Sequence, residues 1–235
     1  MLGPRQRREL PRWVPWVALT LGVLVLAGGA LWRFWPRPLE PISLVELQNT
    51  YAGMVRGDGT NDASVMTRQV VTETPLTVLP DRCAPLVEAT AANRFPDAAL
   101  DGVGTYWVLR NSTISLFTLR FSDAEQAEQE RDRIADALDA CVDQQIVVRP
   151  ARANGKVWRA TVGRTEAGSG ADGQIGYTLA GPDSLMAIQL MPYLNTISWQ
   201  SRYETGSSPY SPFSADQLMQ SLRAQVDSIV AARPS

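Results

Sequence analysis

The side chains on which most enzymes depend for acid–base and nucleophilic chemistry are scarce in this sequence. Its 235 residues include no histidine, and Lys156 is the only lysine. Histidine is the commonest general base, the usual partner of serine and cysteine nucleophiles, and a frequent zinc ligand. Its absence excludes most hydrolase mechanisms. We expect no catalytic residues, no metal site and no cofactor in this chain.

Carboxylates are the remaining candidates for catalysis, since a pair of Asp or Glu side chains can hydrolyse glycosides without histidine. Asp97, Asp101 and Glu166 fall in predicted loops, but the sequence does not bring any two of them together. The segment 57–62, GDGTND, has oxygen-bearing side chains at alternate positions, as in a calcium loop. It lacks the glutamate and the full spacing of such a loop, so we interpret it as a turn.

The two cysteines, Cys83 and Cys141, are 58 residues apart. They are too few for a four-thiolate metal site and too distant in sequence for a typical catalytic dithiol. In an oxidising compartment the expected product is one disulfide. On chain-entropy grounds, closing a loop of this length stabilises the folded state by about 4 kcal/mol.

One apolar segment is long enough to cross a membrane. The stretch from Trp13 to Trp32 contains no charged side chain, and a helix of that length spans roughly 30 Å, the thickness of the hydrocarbon core. Tryptophans at both ends match the interfacial aromatic belts. We therefore predict a transmembrane helix over residues 13–35, with the lipid bilayer as its partner.

The charges that flank this segment predict its orientation. Four arginines precede the segment and two follow it closely, so the positive-inside rule places the N-terminus in the cytoplasm. A cleaved signal peptide is the alternative, with residues 27–30, AGGA, as its processing site. The predicted localisation is the cell membrane, with a single pass and an extracytoplasmic C-terminal domain.

This interpretation divides the chain into a basic cytoplasmic tail (1–12), the transmembrane helix (13–35), a proline-rich spacer (36–42) and an extracytoplasmic domain (43–235). After Arg37 the chain has 16 basic and 23 acidic side chains, a net charge of −7. So acidic a domain does not favour binding to nucleic acid. The near-complete use of arginine in place of lysine is typical of GC-rich genomes, such as those of actinobacteria.

Capping-box pairs predict two long helices in the outer domain, one at Ser122 with Glu125 and one at Ser214 with Gln217. We also predict a shorter helix over residues 84–93. Alternating hydrophobicity and short connections predict antiparallel strands. The predicted fold class is α+β, mainly an antiparallel sheet with packed helices, preceded by one N-terminal transmembrane helix. The predicted strands are 103–110, 112–121, 145–149, 156–162, 174–180, 184–191 and 195–203.

Aromatic side chains alternate with polar neighbours along these strands, and arginines such as Arg159 and Arg202 are among the neighbours. Rings in this arrangement could line a ligand cleft. The alternative is that they pack beneath the helices. The predicted ligand-binding residues are Trp107, Arg110, Trp158, Tyr177, Trp199 and Tyr203.

The order of elements resembles a known family. Leu79–Cys83 (LPDRC) precedes a pair of strands, and Phe121–Ala124 (FSDA) opens a long helix that ends in Cys141. This arrangement resembles the extracellular sensor domains of mycobacterial membrane serine/threonine kinases of the PknH type and related lipoproteins. The resemblance implies a sheet with packed helices, a cleft for an unidentified ligand and exposure to the cell envelope. Such domains commonly carry two disulfides, whereas this chain has cysteines for one, and its short N-terminal tail contains no kinase motif.

We therefore expect a membrane-anchored extracytoplasmic sensor-type domain, not an enzyme, that binds an unidentified small molecule or a cell-envelope partner. Two other classes stay open. One is a cell-envelope hydrolase that uses carboxylates, which a cleft with two carboxylates about 5 to 10 Å apart would favour. The other is a scaffold subunit of a membrane complex, which a flat apolar patch would favour.

Overall fold

A computed structural model describes residues 40–54, 64–66, 76–88, 95–108, 112–150, 156–165 and 173–206, together with 220, 222–224, 226–228 and 230–233. The described residues after Glu40 belong to one compact unit, Pro41–Ser235. The predicted tail at 1–12 and transmembrane helix at 13–35 lie outside the described residues. Within those ranges, no helix has the length and apolar character needed to cross a membrane.

The described strands form one nine-stranded sheet in which every neighbouring pair is antiparallel. The strands are β1 Ser64–Met66, β2 Leu76–Leu79, β3 Asp101–Val108, β4 Ser112–Arg120, β5 Gln145–Pro150, β6 Trp158–Arg164, β7 Ile175–Ala180, β8 Ser184–Tyr193 and β9 Thr196–Thr205. Their order across the sheet is β1-β3-β4-β9-β8-β7-β6-β5-β2. The predicted α+β class is confirmed, and the predicted strands correspond to β3 through β9.

The helices are α1 Leu44–Met54, α2 Ala84–Glu88 and α3 Ala124–Cys141, with a 3₁₀ turn at Asp81–Cys83 before α2. Helical residues are also described at 220, 222–224, 226–228 and 230–231, and we call them α4. They agree with the predicted C-terminal helix, although its predicted cap at Ser214 lies outside the described residues. The predicted helix at 84–93 is described only as far as Glu88.

The long helix α3 forms where it was predicted, but its N-cap is one residue later than the capping-box pattern suggested. Asp123 has extended backbone angles, and its carboxylate accepts a hydrogen bond of 2.9 Å from the Gln126 backbone N–H. The Ser122 hydroxyl donates a hydrogen bond to the same carboxylate. Both hydrogen bonds lower the pKa of Asp123, and the one from Ser122 has the larger effect. An anionic cap is also favoured by the positive end of the helix dipole. The prediction of Ser122 as the cap was therefore wrong.

Helix α1 was not predicted, although its sequence contains a capping box. The Ser43 backbone N–H and hydroxyl donate to Glu46 Oε2 at 2.8 and 2.7 Å, and the Glu46 N–H donates to Ser43 Oγ at 3.3 Å. This reciprocal pair satisfies backbone donors that would otherwise lack partners at the start of the helix. The sequence interpretation placed this segment at the start of the outer domain, after the spacer at 36–42, but assigned no element to it.

Helices cover both faces of the sheet. On one side, the α3 face, α2 and α3 bury a large apolar core that includes Ile134 and Leu138 of α3. On the other side, the α1 face, α1 and α4 bury a smaller core. Its members are Ile42, Leu47, Tyr51, Val103, Leu116, Met191, Leu222 and Val226.

The predicted disulfide is confirmed. Cys83 and Cys141 are bonded, with their Cα atoms 5.9 Å apart, and both are fully buried. The bond joins the turn before α2 to the last residue of α3, so it fixes both helices on the same face of the sheet. No free cysteine is present in the part of the chain that the structure describes.

Candidate functional site

Strand β9 carries polar side chains on the α1 face. Alternate residues of a strand share a face, and Ser198 pairs with Met191, a member of the α1-face core. Counting by twos from Ser198 therefore places Gln200, Arg202 and Glu204 on the α1 face. In β8, Gln189 is directly opposite Gln200. We call Gln189, Gln200, Arg202 and Glu204 the polar cluster.

The polar cluster is buried, although its sequence would suit a solvent-exposed face. Gln200 is 2%, Glu204 3% and Gln189 8% exposed. Arg202 Nε lies 2.6 Å from Glu204 Oε1, an ion pair by distance that lacks the alignment of a hydrogen bond. Removing such a pair from water costs free energy that its own attraction only partly offsets. The cluster is therefore an unusual feature for a face that serves packing alone.

Several polar atoms of this cluster lack a hydrogen-bond partner among the described residues. They include both amide atoms of Gln200 and Glu204 Oε2. Most buried polar atoms in folded proteins are paired, and each unpaired one costs about 1–3 kcal/mol. A polar molecule that supplied the missing partners would recover that free energy. This makes the cluster the best candidate for a binding site in the part of the chain that the structure describes.

A further unpaired atom lies in the same row of the sheet. Gln189 is opposite Gly176 of β7, and the Thr165 N–H donates to the Gly176 carbonyl at 3.1 Å, which extends the ladder to Thr165. Thr165 follows the last residue of β6 and is one of the residues that line a cavity next to α3. Its hydroxyl is buried and makes no hydrogen bond to the described residues.

A chain of three hydroxyls lies next to the cluster and completes its hydrogen bonds internally. Thr118 Oγ1 lies 2.8 Å from Ser198 Oγ and 3.0 Å from the Tyr51 hydroxyl. All three are buried. Gln200 is two residues further along β9, and its amide atoms make no hydrogen bond to the described residues.

The side chains of the polar cluster could hold a ligand. The cluster offers an amide donor and acceptor, a carboxylate oxygen and a guanidinium group, which can hold a ligand in a fixed orientation. It contains a single carboxylate, whereas glycoside hydrolysis needs two. Within the described ranges, no group of three or more His, Cys, Asp or Glu side chains could hold a metal ion.

Two of the predicted ligand-binding residues lie in the α3-face core. Tyr177 is completely buried, and its hydroxyl donates a 2.8 Å hydrogen bond to the Leu86 carbonyl. Trp199 is 1% exposed and stacks on Phe117, with ring centroids 5.4 Å apart. The structure thus places both rings in packing positions, the alternative that the sequence left open, on the face opposite the polar cluster.

The other predicted residues are spread over the sheet. Trp158 is half-buried on the α3 face of β6, opposite Val148. Tyr203 is 38% exposed and lies on β9 between Arg202 and Glu204, but on the other face. The structure does not bring these two together with the cluster.

Trp107 lies two strands away from the cluster in the sheet. Trp107 pairs with Ile114, and Ile114 pairs in turn with Arg202. The side chain of Trp107 and the whole of Arg110 lie outside the described residues. Their predicted contact with a ligand stays a prediction.

A separate cavity of about 140 Å³ lies between α3 and the β6–β7 hairpin. Apolar side chains of α3 and Ile175 line it, and the ion pair of Arg164 with Asp139 lies at its rim. Both charged side chains are more than half exposed. Thr165, whose buried hydroxyl makes no hydrogen bond to the described residues, also lines this cavity.

The fold is similar to that of solved mycobacterial structures. The extracellular domain of PknH from Mycobacterium tuberculosis matches with a TM-score of 0.57 at 12% sequence identity, over 83% of this chain and 100% of that domain. An uncharacterised protein from Mycobacterium smegmatis, the Rv0999 ortholog, matches with a TM-score of 0.45 at 10% identity, over 80% of this chain and 99% of that one. Comparisons with protein-family models and with curated proteins gave no match. The chain has the fold of the PknH extracellular domain, as its sequence resemblance predicted.

Proposed function

We propose that this chain is a membrane-anchored, extracytoplasmic sensor-type domain that binds a small polar molecule in the polar cluster. The observation that carries the proposal is Gln200, whose side chain is buried with both amide atoms unpaired among the described residues. A buried amide without partners destabilises the unliganded fold. A ligand that pairs with it would bind more tightly for the same reason.

Two observations support a location outside the cell. The fold is that of an extracellular domain in the solved neighbour, and a disulfide closes the domain, as is common in oxidising compartments. The apolar segment at 13–35 would supply the anchor.

The two rival functions have less support. A carboxylate hydrolase requires a second acid, and Glu204 is the one carboxylate of the polar cluster. A scaffold requires a contiguous apolar surface, whereas the exposed large hydrophobic side chains that are described lie on separate elements. They are Val45, Leu79, Leu100, Tyr106, Val157 and Tyr203. Scattered singly, such residues are normal on a soluble surface.

The proposal is tested with the full-length chain in detergent, by thermal unfolding in the presence of a library of small polar metabolites. A ligand that binds the folded state raises the melting temperature by mass action. Gln200→Met keeps the length of the side chain but removes its amide, so we expect a ligand that stabilises the wild type to have no effect on this variant.

The matched control is Gln145→Met, at an exposed position of β5. It should respond to the ligand as the wild type does. Without ligand, Gln200→Met should unfold at a temperature equal to or above that of the wild type, because two unpaired buried atoms are removed. Compounds that stabilise the wild type and Gln200→Met equally would place binding elsewhere and contradict the proposal.

A further inference from the structure

We infer that the cavity between α3 and the β6–β7 hairpin binds an uncharged molecule, about the size of one aromatic ring, that carries a hydroxyl group. Two of its lining residues, Leu138 and Ile175, belong to the α3-face core, so the cavity lies on the other side of the sheet from the polar cluster. This second site is independent of the proposed function. Its assignment rests on the volume of the cavity, on its walls and on one unpaired hydroxyl.

The volume of the cavity limits the size of a ligand. It measures about 140 Å³, and apolar cavities of about 150 Å³ can hold a molecule such as benzene. Side chains in a folded core are closely packed, so a molecule with two rings would have to displace the walls. We therefore expect a ligand with a single ring.

The walls of the cavity favour an uncharged ligand. Leu138 and Ile175 are buried and cannot form hydrogen bonds with water, so an apolar ring that displaces water from them is favoured by the hydrophobic effect. The charged residues of the lining, Arg164 and Asp139, pair with each other and are more than half exposed. They remain hydrated and provide no buried counter-charge. A charged ligand would lose its own hydration without compensation.

Thr165 provides a polar partner in this mainly apolar cavity. It lines the cavity, and its hydroxyl is buried without a hydrogen-bond partner among the described residues. Its backbone N–H already donates to the Gly176 carbonyl at 3.1 Å, which fixes the main chain at this position. Because a hydroxyl both donates and accepts hydrogen bonds, a hydroxyl group on the ligand can pair with Thr165 in either sense.

The two walls of the cavity are fixed to each other. Leu138 lies in the last turn of α3, which ends at Cys141 in a buried disulfide. Directly after α3, the Asp143 N–H donates to the Val162 carbonyl at 2.8 Å, and the Val162 N–H donates to the Gln144 carbonyl at 3.0 Å. These hydrogen bonds join the end of the helix to β6. A cavity with fixed walls resists closure when it is empty, and binding then requires little further ordering.

The test is a methyl NMR titration of the full-length chain in nanodiscs with three single-ring probes. Phenol carries the hydroxyl, toluene has the same ring without it, and benzoate adds a charge. Phenol should shift the methyl signals of Leu138 and Ile175 through its ring current and leave those of Ile42 and Leu47, in the α1-face core, in place. Benzoate should bind roughly tenfold more weakly than phenol.

Two variants with matched controls assign the binding to the cavity. Thr165→Val keeps the shape of the side chain but removes its hydroxyl, so phenol should bind about fivefold more weakly and toluene as before. Thr161→Val, the same change at an exposed position of β6, should bind both probes as the wild type does. Ala135→Leu fills the cavity from α3 and should abolish binding of both probes. Its control is Ala140→Leu, at an exposed position of the same helix.

Each other result would overturn the inference. If phenol leaves the Leu138 and Ile175 signals in place, the cavity does not bind a ring. Equal affinity of Thr165→Val and the wild type for phenol would show that the hydroxyl is not recognised, and benzoate binding as tight as that of phenol would contradict an uncharged ligand. Binding that persists in Ala135→Leu would place the probes elsewhere, for example in the lipids of the nanodisc. If Ala135→Leu does not fold, the comparison of Thr165→Val with Thr161→Val still decides, because only the former removes the cavity hydroxyl.

Discussion

Arg233 and Glu46 form a bidentate ion pair across 187 residues of sequence. Arg233 Nε lies 2.7 Å from Glu46 Oε1, and its Nη2 lies 2.8 Å from Oε2. Both side chains are largely buried, at 19% and 22% exposure. Arg233 Nη2 also donates to the Pro41 carbonyl at 3.2 Å. The end of α4 is therefore fixed to the first turn of α1, where the chain arrives from the predicted membrane anchor.

This ion pair predicts a specific dependence of stability on pH. The hydrogen bond from Arg233 is the largest cause that lowers the pKa of Glu46 from 4.5 to about 2. Because the pKa is depressed in the folded state, its stabilising contribution is complete above about pH 4.5 and is lost as the pH falls toward 2. Arg233→Met should lower the free energy of unfolding at neutral pH by about 1 kcal/mol.

Urea unfolding of the full-length chain in detergent at about pH 7, 4.5 and 3 would measure this effect. The difference between wild type and Arg233→Met should shrink at the lowest pH, where the wild type begins to lose the same interaction. Arg149→Met, at an exposed position of β5, is the matched control and should follow the wild type. A difference that stays constant over the whole pH range would show that Arg233 acts through packing alone.

Strand β9 shows how far the sequence could predict this domain. In TISWQSRYET the residues Ile197 and Trp199 alternate with polar side chains, and this pattern predicted the strand correctly. The same pattern normally indicates that the polar row faces solvent. Burial of Gln200 and Glu204 depends on what packs over the α1 face, which alternation within one strand does not encode. The candidate site was therefore missed, although its strand was found.

For the helices too, the sequence predicts the features that depend on local residues but not those that depend on further contacts. The length and face of α3 follow from its own sequence, because the apolar side chains recur at helical spacing. Its cap was placed one residue too early, since serine and aspartate are almost equally good N-caps. In the structure Asp123 is the cap, and the Ser122 hydroxyl donates a hydrogen bond to its carboxylate. Local propensity alone does not contain that interaction.

The disulfide should account for a large share of the stability of the domain. It closes a loop of 58 residues, so replacing either cysteine with alanine should lower the free energy of unfolding by about 4 kcal/mol, within the usual range for native bridges. The double variant should resemble each single one, because both remove the same bond. Intact-mass measurement under denaturing, non-reducing conditions should show no alkylation. Uptake of two alkyl groups without prior reduction would refute the bond.

Because Tyr177 is buried in the core, we expect its replacement to lower stability and not to affect ligand binding. Burial raises the pKa of Tyr177, so its hydroxyl stays protonated and donates to the Leu86 carbonyl. Tyr177→Phe leaves that carbonyl without this partner and should cost about 1–3 kcal/mol. Tyr203→Phe, at a position 38% exposed, is the control and should change stability by less than about 0.5 kcal/mol. Loss of ligand binding in Tyr177→Phe without loss of stability would favour the ligand cleft over the core.

The membrane topology is the remaining prediction, and it follows from the arginines before the apolar segment. With the N-terminus inside, protease added to intact cells should digest the outer domain and spare an N-terminal tag. The disulfide makes the same orientation favourable, since the cytoplasm keeps thiols reduced. A variant with Arg5, Arg7, Arg8 and Arg12 all replaced by glutamine should lose the charge bias and expose part of the tag, whereas replacing Arg33 and Arg37 should leave the topology unchanged. A wild-type tag that is digested from outside, or a mature chain that begins near Leu31, would contradict the anchored model and favour the cleaved signal peptide.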